Sequence, residues 1–185
     1  MFNPKRGASV EPVEILAGDS LRLDAVVHRA WEQGAGTVLL AHGITVDRDE
    51  GGMFVRLADR LSEAGLTALR FSYRGHGDSE GTQEGVTIAG EMLDLQAAIE
   101  VAKADHGGPL SIVAASFGAV STCLSLPYLE PQLRSLVLWN PVLDLVHTFV
   151  EPELPWGQEN YTPEQQALLS SQGYLLVDGE FRLGR

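Results

Sequence analysis

The apolar positions of the chain fall into short runs whose spacing differs from one segment to the next. Near the N-terminus, two alternating segments at 13–16 and 21–27 flank a turn-forming stretch at 17–20, which predicts an antiparallel hairpin. The next run, Thr37–Ala41, is short and continuously apolar, as is typical of a strand covered on both faces of a sheet. A hairpin that leads into a central parallel strand is therefore expected.

From residue 53 onwards, helical and strand patterns alternate along the chain. The first helical segment ends at Gly65, a residue type favoured just past a helix C-terminus, and the last is expected to stop before Pro127. This order predicts an α/β fold with a doubly wound, mostly parallel sheet, which binds ligands at the carboxyl ends of its strands. The predicted helices cover 53–64, 88–103 and 116–126, and the predicted strands cover 67–73, 110–114 and 135–139.

The pattern changes after Trp139, where proline residues interrupt the chain. Residues 162–170 predict a short helix, and two short apolar runs flank an Asp178-Gly179 turn that predicts a second hairpin. The sequence therefore favours a core in residues 1–143, followed by an incomplete cap or lid in residues 144–185.

The excess of acidic residues argues against nucleic acid and anionic membranes as partners. Lysine and arginine number 13 against 25 aspartate and glutamate, a net charge of −12 that repels nucleic acid and anionic membrane. Cys123 is the single cysteine, so the chain forms no internal disulfide and no cysteine-based metal cluster. The N-terminus carries no apolar signal segment, and no run approaches the roughly 18 apolar residues of a membrane span. A cytoplasmic location is expected.

The most informative motif is the segment from Ala114 to Gly118. Ser116 lies between a predicted buried strand and a predicted helix, with a small residue two positions before it and two after it. This small-x-Ser-x-Gly pattern, in a strand–turn–helix context, is typical of a nucleophile elbow, in which close passage of strand and helix demands small neighbours. Ala114 replaces the more usual first glycine.

Such a serine needs backbone donors for the oxyanion that forms during acyl transfer. The amide of Phe117, the residue after the serine, is one candidate. The second is the amide of Ile44, because Ala41-His42-Gly43-Ile44 directly follows the first buried parallel strand. His42 itself is expected to be structural.

A third segment, Arg74-Gly75-His76-Gly77-Asp78-Ser79, is a glycine-rich turn after the next strand. Together the three segments resemble the α/β-hydrolase superfamily, particularly its serine esterase and acyl-hydrolase branch, in which they occur in this order. The resemblance covers residues 20–145. It implies an α/β-hydrolase sheet with an opening antiparallel hairpin and a partial cap, with Ser116 as nucleophile.

The resemblance also implies an acid and a histidine after the serine, in that order. Only His147 follows Ser116, at the start of the predicted cap, where a structural role in a cap helix is the alternative. Asp144 lies after the strand at which some family members place the acid, although an aspartate at a helix N-terminus explains it equally well. Since the last strands expected of the family are missing, the sequence is interpreted as a truncated hydrolase whose acid and base lie beyond Arg185.

The sequence thus predicts a serine hydrolase acting on a carboxylic ester or thioester through an acyl-enzyme on Ser116, with no metal or organic cofactor. A small-molecule acyl substrate is the expected partner, and self-association through an exposed sheet edge is a further possibility. Two alternatives remain open: a non-catalytic binding or interaction module on a hydrolase scaffold, and an acyltransferase that uses the same residues.

Overall fold

A six-stranded, mostly parallel sheet forms the centre of the protein. The structure is a computed structural model that describes residues 9–30, 35–106 and 108–184. The strand order is β1-β2-β4-β3-β5-β6, with β1 and β2 antiparallel at one edge and the other four parallel to one another. The strands are β1 Val10–Leu16, β2 Arg22–His28, β3 Thr37–Ala41, β4 Thr67–Phe71, β5 Leu110–Ala115 and β6 Leu133–Trp139; the helices are α1 Met53–Glu63, α2 Ile88–His106 and α3 Gly118–Leu129.

Helices cover both faces of the sheet, which explains why β3 is apolar throughout. Leu39 is fully buried in the cluster that contains α2 and α3, whereas its neighbour Leu40 is fully buried in the cluster that contains α1. Alternate side chains of one strand therefore enter two different cores. The predicted α/β fold with an opening hairpin is confirmed.

The helix after β5 differs from its predicted bounds at both ends. It begins at Gly118 rather than at residue 116, because Ser116 has a positive φ of 47° that no α-helical residue adopts. It also continues through Pro127 to Leu129, so the prediction that it ends before the proline was wrong. Pro127 is exposed and lies in the last turn, and burial of Leu129 holds that turn in place although the proline lacks a backbone N–H donor.

Residues beyond β6 form a smaller layer of short elements. An apolar cluster joins this layer to the elbow region, with Phe149 and Phe181 on the side of the layer and Ile44 and Phe117 on the side of the sheet. Its elements are a π-helical turn Val146–Val150, α4 Pro155–Asn160, α5 Pro163–Gln172, β7 Tyr174–Val177 and β8 Phe181–Gly184, and β7 pairs with β8 as the predicted hairpin.

Strand β6 is an edge of the sheet in the described part of the chain. Val137 and Trp139 on this strand are 50% and 45% exposed. Self-association through this edge stays a prediction. None of the helices in residues 9–30, 35–106 and 108–184 combines the length and the apolar character needed to cross a membrane.

Candidate active site

Ser116 occupies a sharp bend between β5 and α3. Its backbone is left-handed, with φ of 47°, a conformation that costs a non-glycine residue about 1–3 kcal/mol and persists only where the surroundings enforce it. Three backbone hydrogen bonds hold the bend: the Ser116 amide donates to the Trp139 carbonyl at 3.0 Å, and its own carbonyl accepts from Val142 at 2.9 Å and from Ala119 at 3.3 Å. The serine is half-buried.

Two glycines allow the loop after β3 to approach the bend closely. A Cβ added to Gly118 would lie closer than 3.0 Å to the carbonyl oxygens of His42 and Ala41, which are backbone atoms. A Cβ added to Gly43 would lie 3.1 Å from Cβ of Ser116 and 3.5 Å from its hydroxyl oxygen. The loop of residues 42–47, called the oxyanion loop below, therefore lies directly beside the serine.

The structure brings the two predicted oxyanion donors to this place. Ile44 follows Gly43 in the oxyanion loop, and Phe117 follows Ser116 in the elbow; their side chains are buried in the same apolar cluster. Within the described residues, neither backbone amide donates to a protein acceptor. Amides without a protein partner beside a serine are suited to bind an oxygen that carries developing negative charge.

The His42 ring links the oxyanion loop to the chain after β4. Its Nε2 accepts the backbone N–H of Tyr73 at 2.9 Å, so its Nδ1 carries the proton and donates to the Gly43 carbonyl oxygen at 2.6 Å. Burial, together with the nearby His76, lowers the pKa of His42 to about 3. The imidazole is thus neutral, and its role is structural, as predicted.

Glu50 also holds this loop, and sequence reasoning missed it. Its carboxylate accepts the Gly43 backbone N–H at 2.7 Å, and its other oxygen lies 3.6 Å from the position of a Cβ on Gly43. Burial raises the pKa of Glu50; the Gly43 hydrogen bond opposes this shift, and the charge of Asp47 adds to it. Glu50 has a positive φ of 46° just before two glycines, so the Asp-Glu-Gly-Gly turn was the available sequence signal.

The glycine-rich turn after β4 is anchored by one buried ion pair and one partly exposed ion pair of Arg74. The Arg74 guanidinium donates to Asp94, which is fully buried, and to Asp19 at 2.8 Å. Glu91, which is 1% exposed, lies near this pair, and one of its carboxyl oxygens has no hydrogen-bond partner in the described residues. Burial, and then the charge of Asp94, raises the pKa of Glu91 well above its usual value, although Arg74 acts in the opposite direction.

The predicted alternative acid and base do pair with each other. Nδ1 of His147 lies 2.8 Å from Oδ2 of Asp144, and its Nε2 lies 3.6 Å from Glu153. Both side chains of the Asp144–His147 pair are about half exposed, and no hydrogen bond joins the pair to Ser116. The hydrogen bond to Asp144, and then the charges of Asp144 and Glu153, raise the pKa of His147.

An apolar cleft of about 320 Å³ opens beside Ile44 and Phe117, the two predicted oxyanion donors. These residues line it together with side chains at or just before the start of α2, at or just before the π-helical turn, and on β8; these are Val86, Ile88, Leu145, Phe149, Val150 and Leu183. The aromatic ring of Phe149 lines the cleft, and Trp156 and Tyr161 pack against the same apolar cluster. A larger groove lies between α2 and α3, and none of its lining residues belongs to the elbow or the oxyanion loop.

The arrangement of sheet, elbow and oxyanion loop matches a known family. The family model described as serine aminopeptidase S33 matches residues 32–171. The chain belongs to this α/β-hydrolase family. The matched span contains the oxyanion loop, the glycine-rich turn and the elbow, so the resemblance seen in the sequence is confirmed.

Solved α/β-hydrolases share the fold. An esterase from Pyrococcus furiosus is 25% identical, with a TM-score of 0.66 over 76% of this chain and 52% of that one. Est1E from Butyrivibrio proteoclasticus, solved with ferulic acid bound, is 20% identical, with a TM-score of 0.73 over 93% of this chain and 67% of that one. The hydrolase GrgF from Penicillium sp. sh18 is 17% identical, with a TM-score of 0.70 over 95% and 70%. No curated protein matches the chain in sequence. The chain spans about half the length of the Pyrococcus esterase.

Proposed function

We propose that this chain carries the nucleophile and oxyanion hole of a serine hydrolase that acts on carboxylic esters or thioesters. The proposal rests on a strained serine packed against the oxyanion loop, together with the neighbouring amides of Ile44 and Phe117, which have no protein acceptor in the described residues. Attack by the Ser116 hydroxyl on the acyl carbon forms the tetrahedral intermediate, whose oxygen accepts both N–H donors. Each donor of this kind is worth about 3 kcal/mol of transition-state stabilisation.

The hydroxyl also needs a base to take its proton, and the leaving alcohol or thiol needs an acid. His147 is poorly suited, since its side chain is half exposed and hydrogen-bonds to Asp144 rather than to Ser116. We therefore infer that the base comes from outside the described residues. Water then attacks the acyl-enzyme and releases the acyl group from Ser116 as a carboxylic acid. Transfer of the acyl group to an alcohol or thiol would use the same residues.

The cleft favours an apolar acyl or aryl group as the part of the substrate next to the carbonyl. Its walls are aliphatic and aromatic and begin at the two oxyanion residues themselves. Desolvation of an apolar group here contributes about 25 cal/mol for each Å² removed from water. Est1E, which shares the fold, binds ferulic acid, an aromatic acid.

We further propose that residues 144–185 form a cap on a core of residues 1–143. In the described part of the chain, the elements after β6 do not join the six-stranded sheet. They pack over the elbow instead, through Phe149, Leu175 and Phe181. The cap thereby supplies one wall of the cleft.

A fluorophosphonate probe tests the nucleophile directly. With the source of the base present, peptide mapping after incubation between pH 6 and 9 is expected to place the label on Ser116, and Ser116→Ala should remove it. His147→Gln is the matched control and is expected to change the labelling rate by less than about twofold, since a side chain that does not contact the serine contributes little. Absence of label from Ser116, or label that persists in Ser116→Ala, contradicts the proposal.

One observation favours a second candidate, a binding module without turnover: in the described part of the chain, none of His28, His42, His76 and His147 is hydrogen-bonded to the Ser116 hydroxyl. Hydrolysis of p-nitrophenyl esters that depends on Ser116 rules this module out. Saturable binding of such esters without Ser116-dependent hydrolysis favours it.

Glu50 offers a test of the oxyanion loop. Glu50→Ala removes the acceptor for the Gly43 N–H, a hydrogen bond worth about 1–2 kcal/mol, and is expected to slow labelling of Ser116 about tenfold. Glu50→Gln keeps an oxygen acceptor without the charge, so its rate should stay within about threefold of the wild-type rate. Equal labelling rates in Glu50→Ala and wild type would show that Glu50 does not position the loop.

A further inference from the structure

The cap hairpin reaches the oxyanion loop next to Ile44 by one direct contact and one indirect contact. Directly, the Thr45 hydroxyl donates to Oδ2 of Asp178 at 2.8 Å, a contact between residues 133 positions apart. Indirectly, the Phe181 ring stacks on His76 with centroids 4.7 Å apart, and Nε2 of His76 lies 2.6 Å from the Ile44 carbonyl oxygen. Both contacts act on the C-terminal side of the Ile44 N–H.

The Asp178 carboxylate is oriented by the cap itself. Its Oδ1 accepts the indole N–H of Trp156 at 2.7 Å and the side-chain amide of Asn160 at 3.3 Å, which leaves Oδ2 directed at Thr45. The Asp178 backbone N–H donates to Asn160 at 2.6 Å, and the residue adopts a positive φ of 52°. Two elements of the cap, α4 and the β7–β8 turn, therefore determine where this carboxylate points.

On the loop side, the direction of the Ile44 N–H depends on the peptide plane that it shares with Gly43. Glu50 holds the Gly43 N–H, which belongs to the preceding peptide, whereas His42 holds the Gly43 carbonyl, which lies in the same peptide plane as the Ile44 N–H. Thr45 is the next residue after Ile44 whose side chain is anchored, and its anchor is Asp178. A displacement of about 1 Å in such a group costs catalysis on the order of 100-fold.

We propose that Asp178 is a positioning residue for the oxyanion hole, through which the cap holds Thr45 and so supports, from the C-terminal side, the Ile44 amide whose peptide plane His42 sets. The proposal rests on the proposed function of the Ile44 amide, since it concerns how that donor is held. It assigns to the hairpin turn a role beyond chain reversal: the hole reaches its full strength only when the cap is seated on the loop.

The first readout is hydrogen exchange, which needs no turnover. Thr45→Val removes the hydroxyl and keeps the size of the side chain, and Asp178→Ala removes its acceptor; both are expected to speed exchange of the amides in residues 42–50 several-fold. Gln165→Ala is the matched control. It removes the side-chain oxygen that accepts the Leu176 N–H at 2.8 Å, a different hydrogen bond of the same hairpin, and it lies outside the oxyanion loop. Unchanged exchange of residues 42–50 in both Thr45→Val and Asp178→Ala overturns the proposal.

The second readout is the affinity for phenylboronic acid, whose tetrahedral adduct with Ser116 places an oxygen in the oxyanion hole. Thr45→Val and Asp178→Ala should each weaken binding about 5–10-fold, the double variant no more than Asp178→Ala, and Gln165→Ala less than twofold. Additive losses in the double variant, or an equal loss in Gln165→Ala, contradict a specific Thr45–Asp178 coupling. If the wild type forms no Ser116 adduct, the proposed function fails, and hydrogen exchange alone decides whether the cap holds the loop.

Discussion

An alanine at position 118 is expected to disable the elbow while leaving the serine in the sequence. The added Cβ would lie closer than 3.0 Å to two backbone oxygens of the β3 end, which cannot turn aside as a flexible side chain would. The loop and the elbow must then separate, so the Ile44 and Phe117 amides no longer converge. Labelling of Ser116 is expected to fall more than about 100-fold, and overpacking should lower the free energy of unfolding by about 1–3 kcal/mol.

Gly18→Ala is the matched control for this substitution. A Cβ at position 18 meets no atom within 4 Å, and its backbone φ is not in the left-handed region, so stability and labelling should stay close to wild type. Urea unfolding followed by circular dichroism gives the stability difference, and intact-mass kinetics with the fluorophosphonate gives the rate. Wild-type labelling by Gly118→Ala would mean that close packing of the elbow on the loop is not required.

The features that the sequence predicted well are those in which local chemistry and geometry coincide. In the small-x-Ser-x-Gly motif, the chain turns sharply from a buried strand into a helix, so the strand and the helix must pass close to each other. The bend at Ser116 and the close approach at Gly118 show this geometry. The apolar run of β3 likewise predicted a strand with both faces covered. Burial and sterics act over a few residues here, so the pattern is visible in the sequence.

The features that escaped prediction depend on contacts between distant segments. Asp178 was interpreted only as a turn residue, because its bond to Thr45 spans 133 positions and nothing in either local pattern indicates it. Glu50 lies in a recognisable turn, but its bond to Gly43 depends on how that turn folds back over the loop. Pro127 was misjudged for a related reason: tertiary burial of Leu129 outweighs the local effect of the missing N–H.

The polar groups beneath the glycine-rich turn predict a marked dependence of stability on pH. Glu91 is buried beside Asp94, and its folded-state pKa is raised well above the value of about 4.5 expected in the unfolded chain. Below that unfolded pKa both states are protonated, and the stability is fully present. As the pH rises towards the folded pKa, the unfolded chain loses a proton that the folded chain keeps, so this carboxyl lowers stability by about 1.4 kcal/mol per pH unit.

Glu91→Gln removes the titrating group and keeps its size, so the variant should gain stability over wild type as the pH rises above about 5 and show little gain at pH 4. Urea unfolding at each pH measures the difference. Glu100→Gln, on the same helix with its side chain 64% exposed, makes the same change in net charge and controls for the general effect of the acidic surface. The prediction fails if the free energy of unfolding of Glu91→Gln changes with pH in parallel with those of wild type and Glu100→Gln. Glu91 would then ionise as readily in the folded protein as in the unfolded chain. The ion pair of Arg74 with Asp94 would not exclude a second negative charge.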